Sequence, residues 1–341
     1  MKRTSRYLLA TALVGMAGTV SAIEPIPNQK GWSGFLTLGV ASLTTKSNLI
    51  AGVERFNVDL GDKKINSLSD EPDSNTAGIP QINFGVNYTF EGQTQLFVGN
   101  SLENLVEFDR ATIAGVRQQF KDKSIVELSL VSSPKASPVQ VWKDPYVTGV
   151  NRKETDRTSN GVRLEYDKIL GTGFGVQYTQ RKIDVDDERS GTTQLGLPSD
   201  QAKLLKRSGD TKNLELAYTL PRKDRHVFKV SIAGLKEDLD GEAMSGDRTQ
   251  AQLTHVYLGE RFTLASNIVV GKQDYDKKNP VFNKDRNDDI LGLGFVLFDK
   301  KIFNSKNWVG QGTLVWYQQD SNIDFYYQSS TFVGIGAQYR F

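Results

Sequence analysis

Residues 81–90 read Gln-Ile-Asn-Phe-Gly-Val-Asn-Tyr-Thr-Phe. Ile82, Phe84, Val86, Tyr88 and Phe90 fall on one side of an extended chain, and Gln81, Asn83, Gly85, Asn87 and Thr89 fall on the other. Successive side chains of a strand point to opposite faces, so this segment is a strand that is apolar on one face and wet on the other. The same period of two returns at 213–220, where Leu214, Leu216, Tyr218 and Leu220 oppose Glu215, Ala217 and Thr219. Val162, Leu164 and Tyr166 oppose Arg163, Glu165 and Asp167, and Phe174, Val176 and Tyr178 oppose Gln177, Thr179 and Arg181. Amphipathic helical periodicity is nearly absent. No run of about 18 apolar residues follows residue 22, so no transmembrane helix is expected.

The spacing between such segments is uneven. Short connections (91–93, 121–123, 171–173) alternate with long polar ones around 61–80, 134–158, 184–209 and 273–288. A soluble sandwich has no reason to alternate its loops this way. An outer-membrane barrel does, with short periplasmic turns and long outer loops. An open sheet edge cannot survive in lipid, so the sheet must close. Strands are expected at 31–43, 81–90, 94–102, 110–120, 124–132, 160–168, 173–183, 211–220, 225–235, 250–258, 262–271, 289–298, 307–318 and 331–341. The fold class is therefore all-β: a closed antiparallel transmembrane β-barrel of fourteen strands, with twelve or sixteen as alternatives. Residues 48–60 could make a fifteenth. Because bacterial single-chain barrels have even strand numbers, that stretch goes to the first outer loop or to an extension of the first strand.

Composition on its own points elsewhere. The chain has 341 residues, 42 basic and 40 acidic side chains, and 38% hydrophobic residues. Its mean hydropathy of −0.42 suits a soluble protein. A barrel resolves the conflict, since alternate residues face water and the loops are polar. Zero cysteines exclude disulfide scaffolds, thiolate metal sites and cysteine nucleophiles, and two histidines argue against a histidine-rich metal centre. Lys2, Arg3 and Arg6, an apolar stretch from Tyr7 to Val20, and the small residues Ser21 and Ala22 form a secretory signal pattern over 1–22. Cleavage there would turn the net charge from +2 to −1, which gives no reason to expect a nucleic-acid partner. Residues 23–30 then form a periplasmic segment and 31–341 the barrel.

Trp308 and Trp316 share one face eight residues apart. At roughly 3.3 Å per residue and a strand tilt of about 40°, that separation spans about 20 Å of membrane, enough to reach both aromatic girdles. Tyr88, Tyr166, Tyr178, Tyr218 and Tyr339 are assigned to the girdles as well, and Tyr327 joins them if the last strand runs long. The chain ends with Val333, Ile335, Ala337, Tyr339 and Phe341 alternating against Gly334, Gly336, Gln338 and Arg340. In these residues it resembles Gram-negative outer-membrane β-barrel, porin-like proteins, whose last strand ends in an aromatic residue. The resemblance implies outer-membrane insertion after secretion across the inner membrane, with Tyr339 and Phe341 read by the barrel assembly machinery. Ile23-Glu24-Pro25-Ile26-Pro27 followed by Gly31-Trp32-Ser33-Gly34-Phe35 resembles a narrower family of envelope proteins of unknown function. That likeness supplies no site.

Enzymatic constellations are not evident. His226 and His255 lack a serine two residues away, and Ser231 has the opposite parity to His226. Asp224 with His226 has the residue types of an outer-membrane protease pair but falls beside an expected periplasmic turn. Asp184, Asp186 and Glu188 before Gly191 have alternate carboxylates without the rest of a calcium loop. Like Asp285, Asp288 and Asp289, they read as a solvated acidic loop that could bridge cations to lipopolysaccharide. Gly171, Gly173 and Gly175 lack phosphate-loop spacing. Neither cofactor nor catalytic residue is expected. By parity the lumen receives Arg117, Glu127, Arg163, Glu165, Asp167, Gln177, Arg181, Glu215, Lys229, Asn267, Gln338 and Arg340. A large barrel encloses more space than side chains fill. The expected function is thus passive passage of a small hydrophilic solute by a monomeric channel seated among outer-membrane lipid and lipopolysaccharide. The alternative is a closed structural or surface-binding barrel, plugged by residues 23–30 or by a long loop such as 134–158 with Trp142 and Tyr146. A hydrophobic-solute transporter ranks lower because inward apolarity is weak, and an outer-membrane enzyme ranks last.

Overall fold

The computed structural model describes residues 25–53, 57–104, 109–133 and 138–341. The expected signal segment lies outside them. In chain order the strands are β1 (Gly31–Lys46), β2 (Ile50–Val53), β3 (Val58–Asp59), β4 (Ser74–Thr89), β5 (Thr94–Asn104), β6 (Asp109–Gln119), β7 (Ile125–Ser133), β8 (Val139–Trp142), β9 (Glu154–Asp167), β10 (Phe174–Val185), β11 (Gly209–Thr219), β12 (His226–Leu239), β13 (Gly246–Leu258), β14 (Phe262–Tyr275), β15 (Asn287–Asp299), β16 (Trp308–Ser321) and β17 (Gln328–Arg340). A short helix α1 (Ser199–Lys203) interrupts the loop before β11. Strands β2, β3 and β8 belong to loops. The other fourteen form one antiparallel sheet that closes on itself. Among the described residues no helix is long and apolar enough to cross a membrane.

Closure rests on β1, which pairs with β4 along one edge and with β17 along the other. The seam against β17 runs from Phe35 opposite Arg340 to Lys46 opposite Ser329. Beyond it, Gly34 N–H donates to the Phe341 carbonyl at 3.0 Å, and Phe341 N–H returns a bond to the Gly34 carbonyl at 3.1 Å. A Cβ at position 34 would meet the Gly85 carbonyl oxygen at 2.4 Å and the Phe341 ring at 2.7 Å, so only glycine lets the terminal aromatic lie against the first strand.

Exposure along the strands is inverted relative to a soluble protein. Leu216, Ile232 and Ile335 are 58–67% exposed, while Glu215 and Gln338 are 1% exposed. The apolar face looks outward to lipid and the polar face inward. Turns at 90–93, 120–124, 168–173, 220–225, 259–261 and 300–307 gather at one end, and the described parts of the loops, at 57–73, 138–153, 186–208 and 276–286, at the other. All fourteen expected strands are present, with their turn-side ends within one residue of expectation. Their loop-side ends run further, from Ser74 instead of Gln81 and from Glu154 instead of Asn160. Past the hydrocarbon the outward face of a strand meets water instead of lipid, so pairing continues after the alternation that marks it has ended.

The lipid-facing role of the outer wall can be measured. Ile232→Arg, near mid-strand on the apolar face, should cost about 2–4 kcal/mol of folding free energy in bilayers. The inward Ser231→Arg should cost less, both being read by reversible urea unfolding in vesicles.

Candidate functional site

In the turn-end half of the barrel, inward charges are concentrated on one wall. They lie on β6 (Arg117), β7 (Glu127), β9 (Arg163, Glu165, Asp167), β10 (Arg181), β11 (Glu215) and β12 (Lys229), with Arg340 alone at the end of β17. The register makes part of this wall a continuous row: Arg117 faces Glu127, Glu127 faces Glu165, Glu165 faces Gln177, and Gln177 faces Glu215. Lys229 sits in the field of Glu215, Glu165 and Asp167, and Glu127 in that of Arg117 and Arg163. Arg117 also donates to Asn87 at 2.9 Å and stacks over Phe97, and Arg163 donates to Thr179 at 3.0 Å. Apart from Arg340 the facing wall is uncharged in this half: Thr37 and Gly39 on β1, Gly292 and Gly294 on β15, Gly334 and Gly336 on β17. Asn267 accepts a bond from Thr254, and Gln338 donates to Thr37. Glu165 Oε1, Lys229 Nζ and the side-chain amide of Gln81 are among the inward polar atoms that are buried and make no hydrogen bond to protein.

Towards the loop end the same strands turn apolar inside, contrary to the expectation of weak inward apolarity. Ala41 and Leu43 of β1, Ile79 of β4, Val315 of β16 and Phe332 of β17 pack against Ile50, Val53, Val58, Leu60 and Val139. The first loop thus enters the barrel as the β2–β3 hairpin. β2 also pairs with β8, which pairs with β9, so the hairpin is tied into the wall through the third strand of the loop sheet. Each such buried aliphatic side chain contributes about 1.5–3 kcal/mol. In the loop expected over 134–158, the described residues 138–153 turn inward over the mouth, with Trp142 and Tyr146 fully buried.

Above the hairpin, six connections meet in a second apolar cluster. Tyr146, Leu205, Met244, Ile323, Phe325 and Tyr326 form it, with Leu49, Ile65, Leu68, Leu197, Val281 and Phe282 packed around them. Polar staples run through this roof. The Tyr146 and Tyr326 hydroxyls lie 2.5 Å apart, and Asn279 donates to Tyr326 at 2.6 Å. Arg286 lies between the rings of Tyr275 and Tyr326, at 4.2 and 4.0 Å, and forks onto Asp288. Burial opposes its charge, but Tyr275 and Asp288 outweigh burial and hold its pKa above the ordinary range. Arg152 stacks over Trp142 and donates to the backbone carbonyls of Asn48, Pro145 and Asp62. Burial lowers its pKa to about 10.

The remaining expected positions are distributed as follows. Tyr88, Tyr166, Tyr218, Trp308 and Tyr339 stand at the turn end, where Trp32 meets Tyr88 at 5.0 Å and Trp308 meets Tyr339 at 5.2 Å. Trp316 lies eight residues up β16 on the outward face, and Tyr178 stands partway up β10, between the two levels. Tyr327 is not on the last strand, which starts at Gln328; it lies in the loop, with the Lys46 ammonium 5.5 Å from its ring. The acidic loop is a structural knot: Glu188 accepts from Arg207 at 2.7 Å, and Asp187 accepts from Lys143 and Arg189, each at 2.9 Å. Asp289 pairs with Lys272. Among the described residues no group of three or more His, Cys, Asp or Glu side chains is placed to hold a metal ion. Of the segment proposed as a plug, Ile26 is buried against Ile125 in the turn-end mouth, and its N–H donates to Gln119 at 2.7 Å.

These features define a membrane-spanning β-barrel with one charged inner wall and a mouth roofed by its own loops. The chain belongs to the family described as "Protein of unknown function (DUF2860)", which spans residues 31–340. No curated protein matches the sequence. Among solved structures it is similar to a mutant of the monoaromatic hydrocarbon channel TodX, at 10% identity and TM-score 0.48, covering 92% of this chain and 90% of that one. It is also similar to a Pseudomonas aeruginosa FadL homologue, at 10% identity and TM-score 0.44, covering 91% and 90%. The anion-selective porin from Comamonas acidovorans matches at 10% identity and TM-score 0.38, covering 92% and 99%.

Two measurements address the roof. Arg152→Ala strands several buried carbonyls at about 1–3 kcal/mol each, so added protease should cut the loops of the variant at least about tenfold faster than those of the parent. The tyrosines set a pH limit. Burial and then the neighbouring phenol push Tyr146 well above the ordinary phenol range, and burial raises Tyr326 against the pull of Arg286. In opened loops both phenols would ionise near about pH 10, while in the roof they stay protonated. The roof's stability is therefore full below about pH 10 and falls as pH rises above it. Loop proteolysis should accelerate there, and less so in the Tyr146→Phe/Tyr326→Phe double variant.

Proposed function

We propose that the protein is an outer-membrane channel of a Gram-negative bacterium, passing small hydrophilic solutes and held shut at its loop end. The observation that carries this reading is the row of inward charged and amide side chains from Arg117 to Glu215 on one wall. Burying charges inside a barrel costs desolvation that an apolar filling would avoid, so a wall of them favours a use beyond stability. Acidic and basic groups share this wall, which suits a solute carrying both signs and gives weak preference between simple ions. Transit would begin with release of the β2–β3 hairpin and the loops above it. Lipid and lipopolysaccharide surround the wall in this reading, the barrel assembly machinery inserts it, and no residue acts catalytically.

A second reading, a closed barrel that binds partners through its outer surface, is favoured by the roof itself, since six connections share one apolar cluster. Conductance separates the two. In planar bilayers, discrete openings should be rare in the parent and at least about tenfold more frequent in Arg152→Ala, because loss of several hydrogen bonds shifts the closed state by over 1.4 kcal/mol. Lys229→Gln should move the reversal potential in a salt gradient towards cations. No openings from either folded variant would overturn the channel reading in favour of the closed barrel.

A further inference from the structure

The chain contains two histidines, 29 positions apart, and the fold brings them into contact. His226 opens β12, and His255 lies near the end of β13. In the register His226 faces Tyr257 and Phe228 faces His255, so the histidines are diagonal neighbours on the outward face at the turn-end rim. Nδ1 of His226 is 2.9 Å from Nε2 of His255, with the ring planes 13° apart. One nitrogen carries the proton and the other offers its lone pair. Phe228 stacks on His255 at 4.6 Å and Tyr257 leans on His226 at 5.2 Å, which holds both rings in place. His226 is exposed and His255 half-buried.

We propose that this pair is a two-donor site for a divalent transition-metal ion of the copper and zinc class. Two imidazole nitrogens bound to one tetrahedral ion at about 2.0–2.1 Å are roughly 3.3 Å apart. The pair already approaches that spacing, so exchanging the shared proton for an ion requires small rotations of two side chains and no movement of the strands. Imidazole suits these ions, and the divalent series places copper first. Water or lipid phosphate oxygens complete the shell, since the rim lies at headgroup depth. The turn before β12 is basic, but Arg225 is neutralised by Glu260 at 2.7 Å. A bound ion pins β12 to β13 outside the lumen, so the site stands independently of the channel reading.

The test uses the full chain without a histidine tag, folded in detergent micelles and titrated with copper(II) at about pH 7.5 by calorimetry. One ion per chain should bind. His226→Gln and His255→Gln should each lower affinity by about tenfold or more, and the double variant should fall little further. Zinc(II) should bind more weakly with the same dependence. The heat-sensitive gel migration of a folded barrel confirms that the variants have folded. Saturable binding that both single variants retain, or no saturable binding by the parent, overturns the site.

Discussion

In hydrocarbon there is no water to accept a stray N–H or donate to a stray carbonyl, so each strand must be paired along both edges. β1 bears that requirement for the whole molecule, because its second edge is reached only when the chain has run all the way round to β17. The Gly34–Phe341 bonds extend the seam to the last residue. Once fourteen strands have closed, the circumference is fixed, and barrels of that size generally enclose more interior than inward side chains fill. Everything inside the barrel is an answer to that surplus volume.

The two halves answer it differently, and the change can be followed along single strands. Inward from its turn end, β1 offers Thr37 and Gly39, then Ala41 and Leu43; β17 offers Gln338 and Gly336, then Phe332. The polar half faces the charged wall and suits water. The apolar half would be poorly placed against water, and the β2–β3 hairpin covers it. Wall and plug are thus matched in chemistry over the same few residues, which marks the hairpin as a designed occupant of the lumen rather than a loop that collapsed by default.

Strands and faces were legible because the bilayer imposes a strict period of two on them. That is why Glu215 and Lys229 could be placed inside from parity alone. What parity lacks is the height of each residue, which depends on register, and so it could not reveal that the charges share one wall while the opposite wall is glycine and amide. The plug was hidden for another reason. Ile50, Val53, Val58 and Leu60 look like any apolar strand, and only contact with Phe332, far along the chain, gives them a place. Arg152 could not be recognised at all, since its partners are backbone carbonyls that every sequence has. The histidines fell on neighbouring expected strands, yet their contact depends on the diagonal register between β12 and β13.

The two closures also differ in how they can be undone. Opening the wall between any two strands exposes a full ladder of backbone groups to lipid, each costing several kcal/mol, so the ring is effectively permanent. The roof and hairpin are held by side chains, a few staples and a local apolar cluster, and their unpaired groups meet water when they part. Their displacement draws on terms of about 1–3 kcal/mol each instead of on a whole ladder. Motion that connects the charged interior with the outside is therefore confined to the loop end.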